Sequence, residues 1–412
     1  MKKTSWSQSW PRLLFWSHVL SVVGFYLLLW WRTKPGDNDF VQKLRPHTEA
    51  VPAERPLVSI IVPARNEERN IRRCVDSLLM QDYEHFEVIV VDDGSTDQTA
   101  RILDEMVAMH PRGERLWVLR LRNLPQGWAG KPHAIHRGTQ EAHGEWLVFT
   151  DADTRHAPNA LRSALTQAEC EHADLFSLGS KQELPTFWEK VLMPMAFLGV
   201  GMLYPPRLVN DPHSPVAVAN GQYILLRRAV YDALGGYARP ELRNTLLDDR
   251  DLAHVVKEHG YKLRFVEGRG LVSVRMYHNF NEIWRGWRKN VYLGNRGGLG
   301  FFLVQIIGLP MVTVIPLLMP WLARLTRGRH TGRIGRKEAA FGTGLEVTSV
   351  LAYRSWVDKQ LQVPWYYVFS QPLAGTIFAA ILSQSSWRIL TKRGVDWRGR
   401  AYHNQRDQTE IK

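Results

Sequence analysis

Cysteine is nearly missing. Cys74 and Cys170 are the only two in 412 residues. That is too few for a disulfide framework, and the pair has no zinc-site spacing. Such scarcity fits a reducing compartment. Internal repeats and low-complexity tracts are missing too, which argues against a repeat architecture. The P-loop pattern Gly-x4-Gly-Lys-Ser/Thr does not occur. No small-x-small cleavage site follows the first apolar run, so a cleaved signal peptide is disfavoured.

What is present is positive charge and tryptophan. The formal net charge is +13, which suits nucleic acid, an anionic membrane surface or phosphate-bearing substrates. The cations cluster beside apolar segments, which favours lipid head groups over nucleic acid. Many of the 16 tryptophans sit at the edges of apolar runs, where membrane interfaces hold them. The length leaves room for two domains, or for one domain plus membrane segments.

Leu13–Trp31 contains no Asp, Glu, Lys or Arg and is closed by Arg32 and Lys34. Its length suffices to span a bilayer, so residues 1–35 are expected to be a retained anchor. Residues 36–56 read as a polar linker. Leu299–Leu322 is apolar but broken by Pro310, Pro316 and Pro320, which invite a kink or a re-entrant turn. Ala339–Ala352 is a shorter apolar stretch around Glu346, and Pro364–Ser383 reads as a last span. Basic segments lie at 324–337 and in the tail from residue 391. We expect three membrane-embedded segments with a cytoplasmic catalytic domain at the inner (plasma) membrane. Two simple crossings would put loop 324–337 on the wrong side for the positive-inside rule. A re-entrant or interfacial second segment removes that conflict.

Between these segments lies a βαβαβ series. Leu57–Pro63, Phe86–Val91 and Trp117–Leu121 are β-branched or apolar runs separated by helical periodicity. Trp146–Phe149 follows as a fourth short strand. The pattern predicts an α/β fold: a Rossmann-like, doubly wound, mostly parallel sheet flanked by membrane-embedded helices. Carboxylates or amides follow the strand ends, at the edge where open α/β sheets bind ligands. In Asp151-Ala152-Asp153 the carboxylates stand one residue apart, so an extended segment turns both to one side. Two hard oxygens there suit Mg²⁺ or Mn²⁺ shared with substrate phosphates. Against this stands a plain polar turn with Asp153 capping a helix.

Gly127–Pro132 is a glycine-rich loop leading into a helix over Ala134–Glu141. Its Lys131 is placed to reach a phosphate. Pro185–Leu203 reads as an interfacial or a core helix. Val216–Ile224 reads as a strand interrupted by Asn220-Gly221, followed by a helix over Arg227–Leu234. Asp248, Asp249 and Asp251 precede a helix over Leu252–His259, and three acids within four residues exceed what the helix dipole needs. Arg285 and Arg288 share a helix face. They suit either a diphosphate or lipid head groups.

Val58–Glu67, Val91–Asp97, Asp151-Ala152-Asp153 and Asp248–Leu252, in this order, resemble family 2 glycosyltransferases with the GT-A fold, over about residues 57–295. Gly127–Pro132 and the stretch Arg275–Asn290 resemble a narrower group of bacterial membrane-bound enzymes linked to carotenoid and hopanoid glycosylation. The resemblance implies that Pro63, Ala64, Glu67 and Asp92 hold base and ribose, with Lys131 and Asp151 also on the nucleotide sugar. Asp151 and Asp153 would bind Mg²⁺ or Mn²⁺, with His278 a further candidate ligand. Asp249 would be the general base. Asn220, Asp248, Arg285 and Arg288 would line the diphosphate and acceptor side. Two departures stand out. Relatives usually carry Glu-Asp where this chain has Asp248-Asp249, and Lys289 replaces a tryptophan expected after the Arg-x-x-Arg pair.

The expected reaction is inverting, metal-dependent transfer of a hexose from a nucleotide-diphosphate sugar, UDP-hexose favoured, to a lipid hydroxyl or carboxyl of carotenoid or terpenoid type. The rivals are a processive polysaccharide synthase, transfer to a diacylglycerol or polyprenyl phosphate, and a non-catalytic nucleotide-sugar binding module. No nucleic acid and no obligate protein partner is expected. Residues 296–390 are expected to form the C-terminal membrane-embedded helices.

Overall fold

A computed structural model of the chain describes residues 6–33, 56–294, 303–319, 335–391, 395–397 and 400–402. The expected linker lies outside these residues except for its last one. So do most of the basic loop 324–337 and most of the tail. The chain divides into two compact units. One is Pro35–Glu183 with Tyr204–Met276, and the other is Met1–Lys34, Leu184–Leu203 and Tyr277–Lys412. This differs from an unbroken 57–295, because Leu184–Leu203 and everything from Tyr277 onward group with the helices.

The strands of the first unit, in chain order, are β1 (Val58–Ala64), β2 (Phe86–Asp92), β3 (Leu116–Arg120), β4 (Trp146–Phe149), β5 (Thr154–His156), β6 (Leu175–Gly179), β7 (Lys181–Gln182), β8 (Ile224–Arg227), β9 (Leu263–Glu267) and β10 (Val272–Val274). Seven build one sheet in the order β3-β2-β1-β4-β8-β6-β9, and β5, β10 and β7 form a small second sheet. In the large sheet only β8 runs against its neighbours, β4 and β6. The alternation of strand side chains explains why helices cover both faces. Ile60, Val62, Val88 and Val90 pack with Ile71, Val75 and Leu78 of helix Ile71–Leu79. Ile61, Ile89 and Val91 face Ala134 and Ile135 of helix Gly130–Gln140 on the other side. Each such fully buried Val, Leu or Ile side chain contributes about 1.5–3 kcal/mol.

Register sets the functional edge. Ala64 pairs with Asp92, so β1 and β2 end level. Phe149, the last residue of β4, pairs with Ile61 on one side and with Ile224, the first residue of β8, on the other. Because β8 is antiparallel, the chain entering it lies at the same edge as the chain leaving β4. The expected strand over 216–224 is therefore a correction: only Ile224–Arg227 is strand. The Asn220 N–H donates to Ser177 Oγ (2.8 Å) and the Gly221 N–H to Asp249 Oδ2 (3.1 Å), which removes both from any ladder. The helix expected from Leu252 begins instead at Asp248 and ends at Glu258, so the acids occupy its first turn.

The second unit is helical. Its main elements are Trp6–Thr33, Phe187–Leu203, Phe280–Gly294, Arg336–Gln360 and Gln371–Leu390. Arg336–Gln360 is longer than the expected stretch 339–352, because its polar residues are paired. Glu346 meets His18 Nδ1 at 2.7 Å, and Arg354 bonds Asp358 and Gln371, each at 2.8 Å. Among the described residues one helix segment, Arg12–Thr33, is long and apolar enough to cross a membrane. The expected segment Leu299–Leu322 lies partly outside the described residues. Residues 395–397 and 400–402 of the tail pair as a short antiparallel ladder.

Candidate active site

The sheet edge gathers side chains from four loops. After β1, Asn66 takes a left-handed φ of 54°, which asparagine tolerates better than most residues. Its side chain accepts from Thr96 N–H (2.8 Å), and its own N–H donates to Ser95 Oγ (3.0 Å). Glu67 N–H donates to Thr99 Oγ1 (2.8 Å) and Glu68 N–H to Asp97 Oδ2 (3.1 Å). The loops after β1 and β2 are thereby knitted together. Asp92 is buried and spends one oxygen on Ser95 N–H (2.9 Å). Glu67 is buried too and accepts from Asn70 Nδ2 (3.0 Å). Pro63 is half-buried and Ala64 is buried at the end of β1, level with Asp92.

Lys131 stands in the first turn of helix Gly130–Gln140. Its Nζ lies 2.7 Å from Asp151 Oδ1 and 3.2 Å from Asp248 Oδ2. Asp249 completes the group. A Cβ placed on Gly221 would stand 3.0 Å from Lys131 Nζ, 3.3 Å from Asp249 Oδ2 and 3.5 Å from Asp151 Oδ2. Glycine is present here for room, since nothing larger leaves the cation and acids where they are. Asp249 is oriented by two backbone donors, Gly221 N–H on Oδ2 and its neighbour Arg250 N–H on Oδ1 (2.8 Å). The Asp248 carboxyl stands raised to about 6, because burial, with Asp249 and Asp151 beside it, outweighs the opposing pull of Lys131. The Lys131 ammonium is stabilised well above its ordinary range, because the three carboxylates outweigh its own desolvation. Asp251, by contrast, is occupied by the Arg250 guanidinium (2.6 Å) and by Thr245.

Other expected residues have structural partners. Asn220 Nδ2 donates to the Leu178 carbonyl (2.8 Å) and to Ser180 Oγ (3.1 Å). Arg285, Arg288 and His278 belong to the helical unit. Arg288 Nη1 donates to Gln384 Oε1 (3.2 Å), which also accepts from Trp284 Nε1 (2.8 Å). Arg285 is exposed. The His278 N–H and its Nδ1 both face Glu282 Oε2, at 2.7 and 3.4 Å.

Among the described residues no three His, Cys, Asp or Glu side chains gather as a cage for a metal ion. An all-protein cage is not what Mg²⁺ or Mn²⁺ needs when substrate phosphates share the ion; one or two carboxylates suffice. Asp151 and Asp153 are oxygen donors of that kind. The ammonium drawn in beside Asp151 shows that the pocket accepts positive charge. The donor set therefore fits such an ion. Sequence reading missed Gly221, whose signal was an isolated glycine within a strand-like run, a mark of close backbone approach.

Residues 59–235 match the model of the family described as glycosyl transferase family 2. That matched stretch is a family 2 domain, the enzyme class is glycosyltransferase, and the fold is of the GT-A type. More particularly, the chain is 25% identical over 362 residues to a 4,4'-diaponeurosporenoate glycosyltransferase of Staphylococcus aureus (strain USA300), covering 85% of this chain and 89% of that one. The protein of the same description from a bovine strain, RF122 / ET3-1, is 24% identical over 366 residues with the same coverage. A solved mannosyltransferase from Pyrobaculum calidifontis, in complex with GDP-Man and Mn²⁺, shares the fold. Its TM-score is 0.53 at 20% identity, over 88% of this chain and 98% of that one.

Proposed function

We propose that this chain transfers a hexose from a nucleoside diphosphate sugar to the hydroxyl or carboxyl of a carotenoid-like lipid, in one inverting displacement at the membrane. The observation that carries this reading is the convergence of Asp151 at the end of β4 with Asp249 at the head of a separate helix, both beside Gly221. One acid is left for the diphosphate side and another for the acceptor. The lipid acceptor is suggested by the similarity to proteins named for glycosylating an apocarotenoid acid and by the apolar Arg12–Thr33 helix.

Asp92, Glu67, Pro63 and Ala64 would receive the base and ribose. Asp151 and Asp153 would hold Mg²⁺ or Mn²⁺, which supplies charge neutralisation for the leaving diphosphate. Lys131 adds a second positive charge on the same side. Asp249 would take the acceptor's proton as its oxygen attacks the anomeric carbon. Its two backbone donors leave a lone pair for that proton and fix its direction. The bond to the diphosphate oxygen breaks as the new glycosidic bond forms. Asn220 and Asp248 we assign to the diphosphate and acceptor side.

Asp249→Asn tests the assignment. It keeps the shape and removes the base, so transfer should fall by about a hundredfold or more. Binding of UDP with Mn²⁺, read by calorimetry, should be unchanged. Near wild-type turnover in this variant would end the assignment.

A further inference from the structure

Beneath the Asp-Ala-Asp turn lies a closed polar network that the transfer chemistry does not use. Thr150, Thr154 and His156 are each at most 4% exposed. Thr150 Oγ1 donates to the Gln222 carbonyl (2.8 Å), and Thr154 Oγ1 donates to the Asp151 carbonyl (2.7 Å). His156 Nε2 stands 2.9 Å from Thr154 Oγ1 and 3.1 Å from Thr150 Oγ1. A hydroxyl has one proton, and a carbonyl can only accept. With both hydroxyl protons on carbonyls, the ring nitrogen is the donor that closes the network. This assigns the Nε2–H tautomer by elimination. Burial pushes the imidazole down to about 3, so it is neutral at physiological pH. The backbone that carries the ring is fixed as well. The His156 N–H donates to Ser77 Oγ (3.0 Å), and His156 pairs with Val272 in the small sheet.

The identity of the two carbonyls gives the network its meaning. One belongs to Asp151. The other belongs to Gln222, next to the Gly221 whose N–H orients Asp249. A threonine bonding back three residues is a common turn device. That device needs neither Thr150 nor a ring donor, and it does not reach a second loop.

We propose that Thr150, Thr154 and His156 are positioning residues that lock the Asp151 turn and the Gly221-Gln222 turn in one register, so that Asp151 and Asp249 face a common substrate. The proposal rests on the reading of those acids as the nucleotide-sugar site. Paired variants of the full-length protein test it. Thr154→Val and His156→Leu remove the network at similar volume. Thr154→Ser keeps the hydroxyl, and His156→Gln keeps an N–H donor. Two readouts are taken: hydrogen exchange of the ligand-free protein in peptides 150–156 and 219–224, and calorimetric binding of UDP and of GDP with Mn²⁺. Val and Leu variants should exchange faster in both peptides and bind about tenfold or more weakly, as outer-shell partners of ligands do. The Ser and Gln variants should behave like wild type. Unchanged exchange in 219–224 after a change at 154 or 156 overturns the proposal. So does equal impairment of conservative and disruptive variants. If wild type binds neither nucleotide, the site reading itself is overturned, and exchange still decides whether the two turns are coupled.

Discussion

At the scale of residues, the site is a charge arrangement held by a gap. Lys131 lies between Asp151 and Asp248, and Gly221 leaves the space that lets Asp249 stand beside them. Gly221→Ala puts a methyl carbon 3.0 Å from the ammonium, so Lys131 or Asp249 must shift by several tenths of an ångström. The circular dichroism spectrum should stay native while kcat drops about tenfold or more, because small misplacements of reacting groups are costly. Unchanged kcat would show that the gap is incidental. Asp151, Asp249 and Lys131 were legible in the sequence because each sits in a short local pattern with chemical meaning. Gly221, Thr154 and His156 were not. Their roles depend on which distant backbone group they meet, and a residue pattern does not carry that. Asn220, expected to line the diphosphate and acceptor side, also has its amide bonded to Leu178 and Ser180, which the pattern did not reveal.

At the scale of elements, the reversed strand β8 explains most of what the sequence concealed. Strand runs and connecting helices predicted the parallel part of the sheet well, since apolar periodicity reports local burial directly. They could not give the direction of β8, and that direction brings the 220–223 turn to the β4 edge. The segment leading to this turn is tied to the Asp249 helix by one side chain. Lys257 Nζ donates to the carbonyls of Leu208, Val209 and Val216, at 3.0, 2.8 and 2.7 Å. Desolvation there lowers its pKa below that of an ordinary lysine. Lys257→Met keeps the apolar stem and abandons three acceptors. It should cost about 1–3 kcal/mol, seen as a lower melting temperature in a thermal denaturation series. A melting temperature equal to wild type would mean that water satisfies these carbonyls equally well.

At the scale of the whole molecule, an α/β catalytic unit and a helical unit interleave in sequence. The boundaries were hard to see because Phe187–Leu203 carries no local mark separating it from a core helix of the catalytic unit. The apolar Arg12–Thr33 segment was legible from length and composition alone. The polar residues of Arg336–Gln360 find partners inside the helical unit, which local composition does not reveal. The account's central claim is single hexose transfer onto a greasy acceptor by the acids of the sheet edge. It is tested most directly by incubating the full-length protein in native membranes with radiolabelled UDP-hexose and Mn²⁺, then partitioning the products. The account predicts label in the organic phase as a mono-hexosylated lipid, and about a hundredfold less or fainter with Asp249→Asn. Label in a water-soluble polymer, or organic-phase label undiminished in Asp249→Asn, would contradict it.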